Sequence, residues 1–378
     1  MRPARASSVW ARSVLGATVV FSLACDSERS TRIIDVTPAP RAAPELAGAA
    51  VQTAILATYE QVGDLHTMTF SGDFAGQIAV QHWGIMQELA RQDYNRRHGC
   101  SMFQHTVAGE KRVLGRNFDH KPTEVLVSHC YPDSGFASIG FTPLNSLGFT
   151  EDTPFDPAND QHRQMLLYGP VTTVEGLNER GVCVTLASLG RHQVIPDPAK
   201  EPRFLIHLVR EILDHAATID EAVALAARYN VFDNGRDVIS HHIFIGDPTG
   251  SAVLEWQEGV MQVVPDDPGG TGQIVTNSPL AGRGEEVRRD QCERYRILRQ
   301  ELTRASTRPP DPRPDWQQGL DALAAAAQHN ARYVIDGEPW VVSTQWSTLF
   351  ELSSGQAYIC LQCDFDTVYR VTVPFAAH

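Results

Sequence analysis

Gly99-Cys100-Ser101-Met102-Phe103-Gln104-His105-Thr106-Val107, followed by Arg112-Val113-Leu114-Gly115-Arg116-Asn117-Phe118-Asp119, is the stretch on which the reading of this chain turns. Just before it, Phe74, Ile78, Ile85, Met86 and Leu89 recur at helical spacing, and the pattern closes in the polar run Asn95-Arg96-Arg97-His98. At Cys100 the period becomes that of strands. Residues 101–107 and 112–119 read as a hairpin around a tight Gly109-Glu110 turn. With the turn centred between those two residues, Cys100 lies opposite Asp119, whose carboxylate is then placed to hold an α-amino group. Arg116 falls on the other parity and needs a bulge or strong twist to reach the thiol. From there its charge would favour the thiolate. On spacing alone the same residues also fit a plain hairpin with a buried cysteine.

Beyond residue 119, strands are expected near 125–130, 137–141, 182–188, 239–246, 251–256, 274–277, 341–352, 357–363 and 368–373. Helices are expected near 203–215, 219–229, 284–304 and 316–328, with Thr218-Ile219-Asp220-Glu221 as a capping box. Strands in clusters with helices between them argue for an α+β layered domain over 100–378.

The N-terminus is a separate matter. Arg2, Arg5 and Arg12 precede a short apolar run that ends at Cys25, the pattern of a secretory signal over 1–25. Two cleavage readings stand. Phe21-Ser22-Leu23-Ala24-Cys25 resembles a bacterial lipoprotein box, with Cys25 lipidated and tethering the chain to a membrane. The small Ser22 and Ala24 suit an ordinary signal peptidase, which would leave a periplasmic or secreted protein. Residues 26–44 read as a flexible tether, and the rest of the 26–99 segment as mostly helical.

The chain has 378 residues, 42% hydrophobic, with a net charge of −13. That balance carries no footprint for nucleic acid. A homo-oligomer is compatible with it. The seven cysteines are too scattered for a disulfide framework, and Cys360-Leu361-Gln362-Cys363 reads as core packing within a strand. His241 and His242 point to opposite faces of one strand and no zincin-like spacing occurs, so neither a metal nor another cofactor is expected.

Gly99-Cys100-Ser101 with Gly115-Arg116-Asn117-Phe118-Asp119 resembles the start of the choloylglycine hydrolase and penicillin acyltransferase group of N-terminal-nucleophile hydrolases. Three later segments extend the resemblance in order. Glu175-Gly176-Leu177-Asn178-Glu179-Arg180-Gly181-Val182 is similar to its G-x-N-E-x-G-L turn, and Val275-Thr276-Asn277-Ser278-Pro279 to its T-N-S-P segment. Thr344-Gln345-Trp346-Ser347 is similar to the T-x-W-S strand of the acyltransferase branch.

The resemblance implies an αββα four-layer sandwich and an exported amidase for linear C–N amides, with acyl transfer to an amine as a close variant. A binding lipoprotein on the same fold is the alternative of another class. Cys100 would be nucleophile and, through its free α-amine, its own base, once the Gly99–Cys100 bond is cut by the chain itself. The α-amine's reference pKa of about 7.7–8.0 suits that task. By the same resemblance Asp119 positions the amine, Arg116 lies beside the thiol, and Asn277 donates to the oxyanion. Ser188, ten residues beyond Asn178, stands where bile salt hydrolases have an Asn, so its backbone N–H becomes an oxyanion candidate. A late arginine near the centre is Arg294 or Arg296. The substrate is a small N-acyl amide, and the cut 26–99 segment a candidate small subunit.

Overall fold

A computed structural model describes residues 31–41, 49–72, 99–107, 111–233, 238–266, 272–282, 291–307, 313–335 and 338–373. The signal segment with Cys25, the helical pattern at 74–89 and the Gly109-Glu110 turn lie outside the described residues.

The first sheet comprises β1 (Arg32–Val36), β4 (Gly99–Val107), β5 (Lys111–His120), β15 (Gln273–Val275), β16 (Ala331–Ile335), β17 (Glu338–Glu351), β18 (Gln356–Leu361) and β19 (Thr367–Thr372). Its order is β1-β19-β18-β17-β5-β4-β15, with β16 added on β17. The second contains β2 (Glu60–Val62), β3 (Leu65–Ser71), β6 (Val125–Tyr131), β7 (Ser138–Pro143), β8 (Glu175–Asn178) and β9 (Cys183–Gln193). It is completed by β12 (Val238–Asp247), β13 (Gly250–Gln257) and β14 (Val260–Pro265), in the order β14-β13-β12-β9-β8-β7-β6-β3-β2. A short pair, β10 (Glu201–Phe204) and β11 (Tyr229–Phe232), stands apart. The helices are α1 (Ala49–Leu56), α2 (Asp160–Met165), α3 (Leu205–His215), α4 (Ile219–Ala227), α5 (Glu293–Thr307) and α6 (Asp315–Ala326). The class is α+β.

Alternation along the strands sorts side chains into several cores, three of which position the site. Between the sheets, Met102, Leu114, Phe118, Trp346 and Phe350 of the first meet Val127, Phe141, Ala187 and Phe244 of the second. A second core joins the second sheet to α3 and α4. There Leu205, Leu208, Val209, Ile212 and Leu213 form one apolar stripe at three- and four-residue spacing. Thr218 caps α4 as expected, its Oγ1 accepting the Glu221 N–H at 3.2 Å, while the Glu221 carboxylate reaches one residue past the cap and takes the Ala217 N–H at 2.7 Å. The third core sets Phe103, Val113 and Leu349 against Leu298 of α5 and Leu323 of α6. Cys360 belongs to it. Gly115 is the slot for the Phe103 ring, since a Cβ there would lie 2.6 Å from two of its carbons.

The prefix departs from expectation. The range 26–44 contains β1, which runs parallel to β19 from Arg32↔Thr367 to Val36↔Val371. After α1 the chain forms β2 and β3, and β3 pairs in parallel with β6. The described part of the prefix is therefore strand as well as helix, and it extends both sheets. Arg-Ile-Ile-Asp-Val and Leu-His-Thr-Met-Thr-Phe-Ser are too short and mixed for periodicity to reveal them; partner edges supply the pairing.

Ile55, Leu65, Met68 and Phe70 are at most 1% exposed. At roughly 1.5–3 kcal/mol per buried side chain, these four contribute about as much as a whole domain's net stability of about 5–15 kcal/mol. A chain beginning at Cys100 and made without 31–99 is thus expected to be insoluble or to bind a hydrophobic dye. Supplying 31–99 in trans should restore a cooperative melt. A cooperative, dye-free melt of the 100–378 chain alone would show this account to be wrong.

Candidate active site

The β4/β5 register decides the geometry around Cys100. Val107 pairs with Lys111, so three residues rather than two separate the strands, and every pairing slips by one. Cys100 faces Phe118 and Gly99 faces Asp119. Met102 pairs with Arg116, and with Cys100 they share the face between the sheets. No bulge is needed. Arg116 Nη2 lies 3.6 Å from Cys100 Sγ and donates to the Leu186 carbonyl at 2.7 Å. Its Nη1 is 3.2 Å from Glu175 Oε2, an ion pair with both side chains buried. Glu175 Oε1 accepts from Trp346 Nε1 at 2.6 Å and Thr348 Oγ1 at 3.0 Å. Burial pushes the Cys100 thiol above its usual range, although Arg116 pulls the other way. Arg116 thus reaches the thiol and favours the thiolate, as expected, while desolvation is the larger, opposing effect.

The expected pairing of Cys100 with Asp119 is corrected by this register. Lying opposite Gly99, Asp119 turns to the other face of the sheet, where its Oδ2 accepts from Arg294 Nη1 at 2.8 Å and its Oδ1 from Thr344 Oγ1 at 2.6 Å. Burial pushes its carboxyl up to about 6, against the pull of Arg294 and Thr344. The atom that holds the Cys100 nitrogen is Asn277 Oδ1, at 2.9 Å. Val275 pairs with Met102, so the same register carried two residues further brings Asn277 level with Cys100. Asn277 Oδ1 also accepts from Arg294 Nη2 at 2.8 Å, and its Nδ2 donates to the Ser188 carbonyl at 2.7 Å. Glu255 steadies the turn after Asn277 by accepting the Leu280 and Ala281 N–H groups at 2.7 and 3.0 Å. Of the two arginines left open by the resemblance, Arg294 is buried on α5 and meets Asp119 and Asn277, whereas Arg296 is exposed.

The quoted motifs now have physical roles. Thr344 holds Asp119 and Trp346 holds Glu175, while Ser347 Oγ donates to Asn117 Oδ1 at 2.7 Å. Trp346 also stacks on Phe118, with centroids 4.0 Å apart. A register shift between Thr344 and Trp346 lets these neighbours serve opposite faces of β5. Asn178 fixes its turn by accepting the Arg180 and Val182 N–H groups, both at 3.0 Å.

A Cβ on Gly99 would lie 3.2 Å from Asp119 Cβ and 3.4 Å from Arg294 Nη1, so the residue before Cys100 sits where a side chain would crowd the carboxylate. On the other face, Cys100, Arg116 and Ser188 line one pocket with Val174, Leu186, Phe204 and Ile206. Asp233 and His241 line it as well. These two, and Glu175 as partner of Arg116, carry no spacing signal and were not expected. Among the described residues no three His, Cys, Asp or Glu side chains gather as a metal site requires.

No protein-family model matches the chain, and no curated protein matches it. Solved structures do. Penicillin V acylase from Agrobacterium tumefaciens aligns over 72% of this chain and 86% of its own, at 15% identity and a TM-score of 0.50, which places the two in one fold. A mutant of conjugated bile acid hydrolase from Clostridium perfringens aligns over 69% of this chain and 89% of its own, at 14% identity and a TM-score of 0.47. A further variant of that hydrolase gives the same coverage at 15% identity and a TM-score of 0.48.

Removing one member of a buried ion pair costs about 3–5 kcal/mol, because the other charge is stranded. Glu175→Gln is expected to lower unfolding free energy by that order in urea titration, with Arg116 left unneutralised between the sheets. A loss under about 1 kcal/mol would mean that the pair does not hold this layer.

Proposed function

We propose that this chain is a cysteine N-terminal-nucleophile amidase of the choloylglycine hydrolase and penicillin acyltransferase group, acting on linear N-acyl amides. The observation that carries the reading is the meeting at Cys100 of the thiol, Arg116 and Asn277, with Arg294 joining Asn277 to Asp119. The three cores, helices on sheet on sheet on helices, support the αββα four-layer arrangement of that group. The fold shared with penicillin V acylase supports it further.

In this scheme the chain first cuts itself. The Cys100 thiol attacks the Gly99 carbonyl, the Gly99–Cys100 C–N bond breaks as the thiol proton passes to the nitrogen, and water opens the resulting thioester, leaving a Gly99 carboxylate and a Cys100 with a free thiol and α-amine. The crowding at Gly99 favours a residue with no side chain there. The 31–72 stretch, paired into both sheets, remains as a small subunit. A buried, protonated thiol needs a nearby proton acceptor, and the α-amine supplies it. As sulfur attacks the substrate carbonyl, its proton passes to that amine, which Asn277 Oδ1 orients. The oxyanion receives an N–H of the Asn277 amide, whose nitrogen carries two hydrogens, and the Ser188 backbone N–H. Collapse breaks the C–N bond, the proton moves to the departing nitrogen, and a thioester remains. Water then releases the acid; an amine in its place gives acyl transfer. Export follows from the signal segment, with Cys25 as the lipid anchor.

Two outcomes check this scheme. N-terminal sequencing of purified protein should find a fragment that begins at Cys100, whereas Cys100→Ala should remain one chain and be inactive. An uncut chain that is fully active would refute the base assignment. With protein already cut, Asn277→Ala should lower kcat by about 10²–10³ against a panel of N-acyl amides, the usual cost of one oxyanion donor. Near-wild-type turnover would remove Asn277 from the oxyanion role.

A further inference from the structure

The Cys100 pocket contains a chain of polar side chains that the scheme above leaves unused. Asp233 follows β11 and is 4% exposed. Its carboxylate accepts the Ser240 N–H at 2.7 Å and the Ser240 hydroxyl at 3.0 Å, and stands 2.5 Å from His241 Nδ1. A carboxylate so placed holds the proton on Nδ1 and turns the other ring nitrogen outward. That nitrogen, Nε2, faces Ser188 Oγ at 3.5 Å. The gap exceeds the roughly 2.7–3.0 Å of a good hydrogen bond to a hydroxyl, so a substrate oxygen could replace this contact at little cost.

The backbone explains why these groups meet. His241 pairs with Ser188, but the next regular pair is Ile239 with His192, so β9 carries an irregularity over 189–191. Such interruptions beside a site re-aim side chains. The neighbouring His242 alternates to the other layer and is consumed there, 2.8 Å from the buried Glu255. A structural role would account for Asp233 and Ser240 alone. It does not account for an oriented imidazole beside Leu186, Phe204 and Ile206, in a pocket that Asn145 and Ser146 also line. A few fixed polar groups among apolar walls set which ligand is accepted.

We propose that His241 and Ser188, oriented by Asp233, form a specificity subsite that hydrogen-bonds a neutral oxygen on the substrate's acyl group, a hydroxyl or a carbonyl. Nε2 accepts from a hydroxyl, and the Ser188 hydroxyl donates to a carbonyl. The carboxylate behind the ring disfavours an anionic group. The subsite rests on the amidase reading and refines its substrate class.

The test uses straight-chain N-acyl amides of one length, bearing a hydroxyl or oxo group at successive carbons, together with the unsubstituted parent. Wild type, His241→Phe, Asp233→Asn and Ser188→Ala are compared after each is shown to be cut at Cys100. In wild type one position of the oxygen should raise kcat/KM at least about tenfold over the parent, mainly through KM. In the variants that ratio should collapse towards one. Should His241→Phe fail to fold, Ser188→Ala reads the same ratio after loss of a single oxygen. An active wild type with a flat profile, or variants that keep the preference, would overturn the subsite and leave the amidase reading intact. A wild type inert towards every member would overturn both.

Discussion

Arg116 and Glu175 meet at 3.2 Å in the layer between the two sheets, one from each sheet, and the arrangement around Cys100 depends on that pairing. Neither charge is tolerable there alone. Glu175 is therefore held by Trp346 and Thr348, and Arg116 by the Leu186 carbonyl and the thiol. The guanidinium thus fixes three strands relative to one another, and Cys100 takes its place from that frame. On the far face of β5, Asp119, Arg294 and Thr344 form a second polar knot, and Asn277 connects it to the Cys100 nitrogen. One strand, Gly-Arg-Asn-Phe-Asp, serves both knots by alternation.

Much of this was legible in the residues. Most of the longer strands beyond 100 and the helices at 205–215 and 219–227 followed from pattern, while β10, β11, β14 and β16 did not; resemblance singled out Cys100, Arg116, Asp119 and Asn277, and left Arg294 open against Arg296. Register did not. A hairpin with three connecting residues in place of two moves every partner by one, and parity then reverses which side chains face each other. That single residue separates an Asp119 beside Cys100 from an Asp119 behind Gly99. Glu175, Asp233 and His241 escaped for a different reason. Their significance comes from partners at the far ends of other strands, and no spacing within one segment encodes that.

The burial of the thiol changes how reactivity should be understood. Arg116 alone does not offset desolvation at Cys100, so a charge neighbour is not the whole of activation. In the proposed scheme a proton acceptor within reach completes it, which would make the state of the Cys100 nitrogen as consequential as that of the sulfur.

The strands β1 and β3 join the two sheets at separate places, yet both precede residue 99. While the chain is continuous, their docking is unimolecular and its rate is indifferent to concentration. Were the backbone cut before Cys100, as proposed, the same docking would become an encounter between two molecules. Folding would then be a history that the finished protein is unable to repeat in dilute solution, and its lifetime would be set by how slowly it opens.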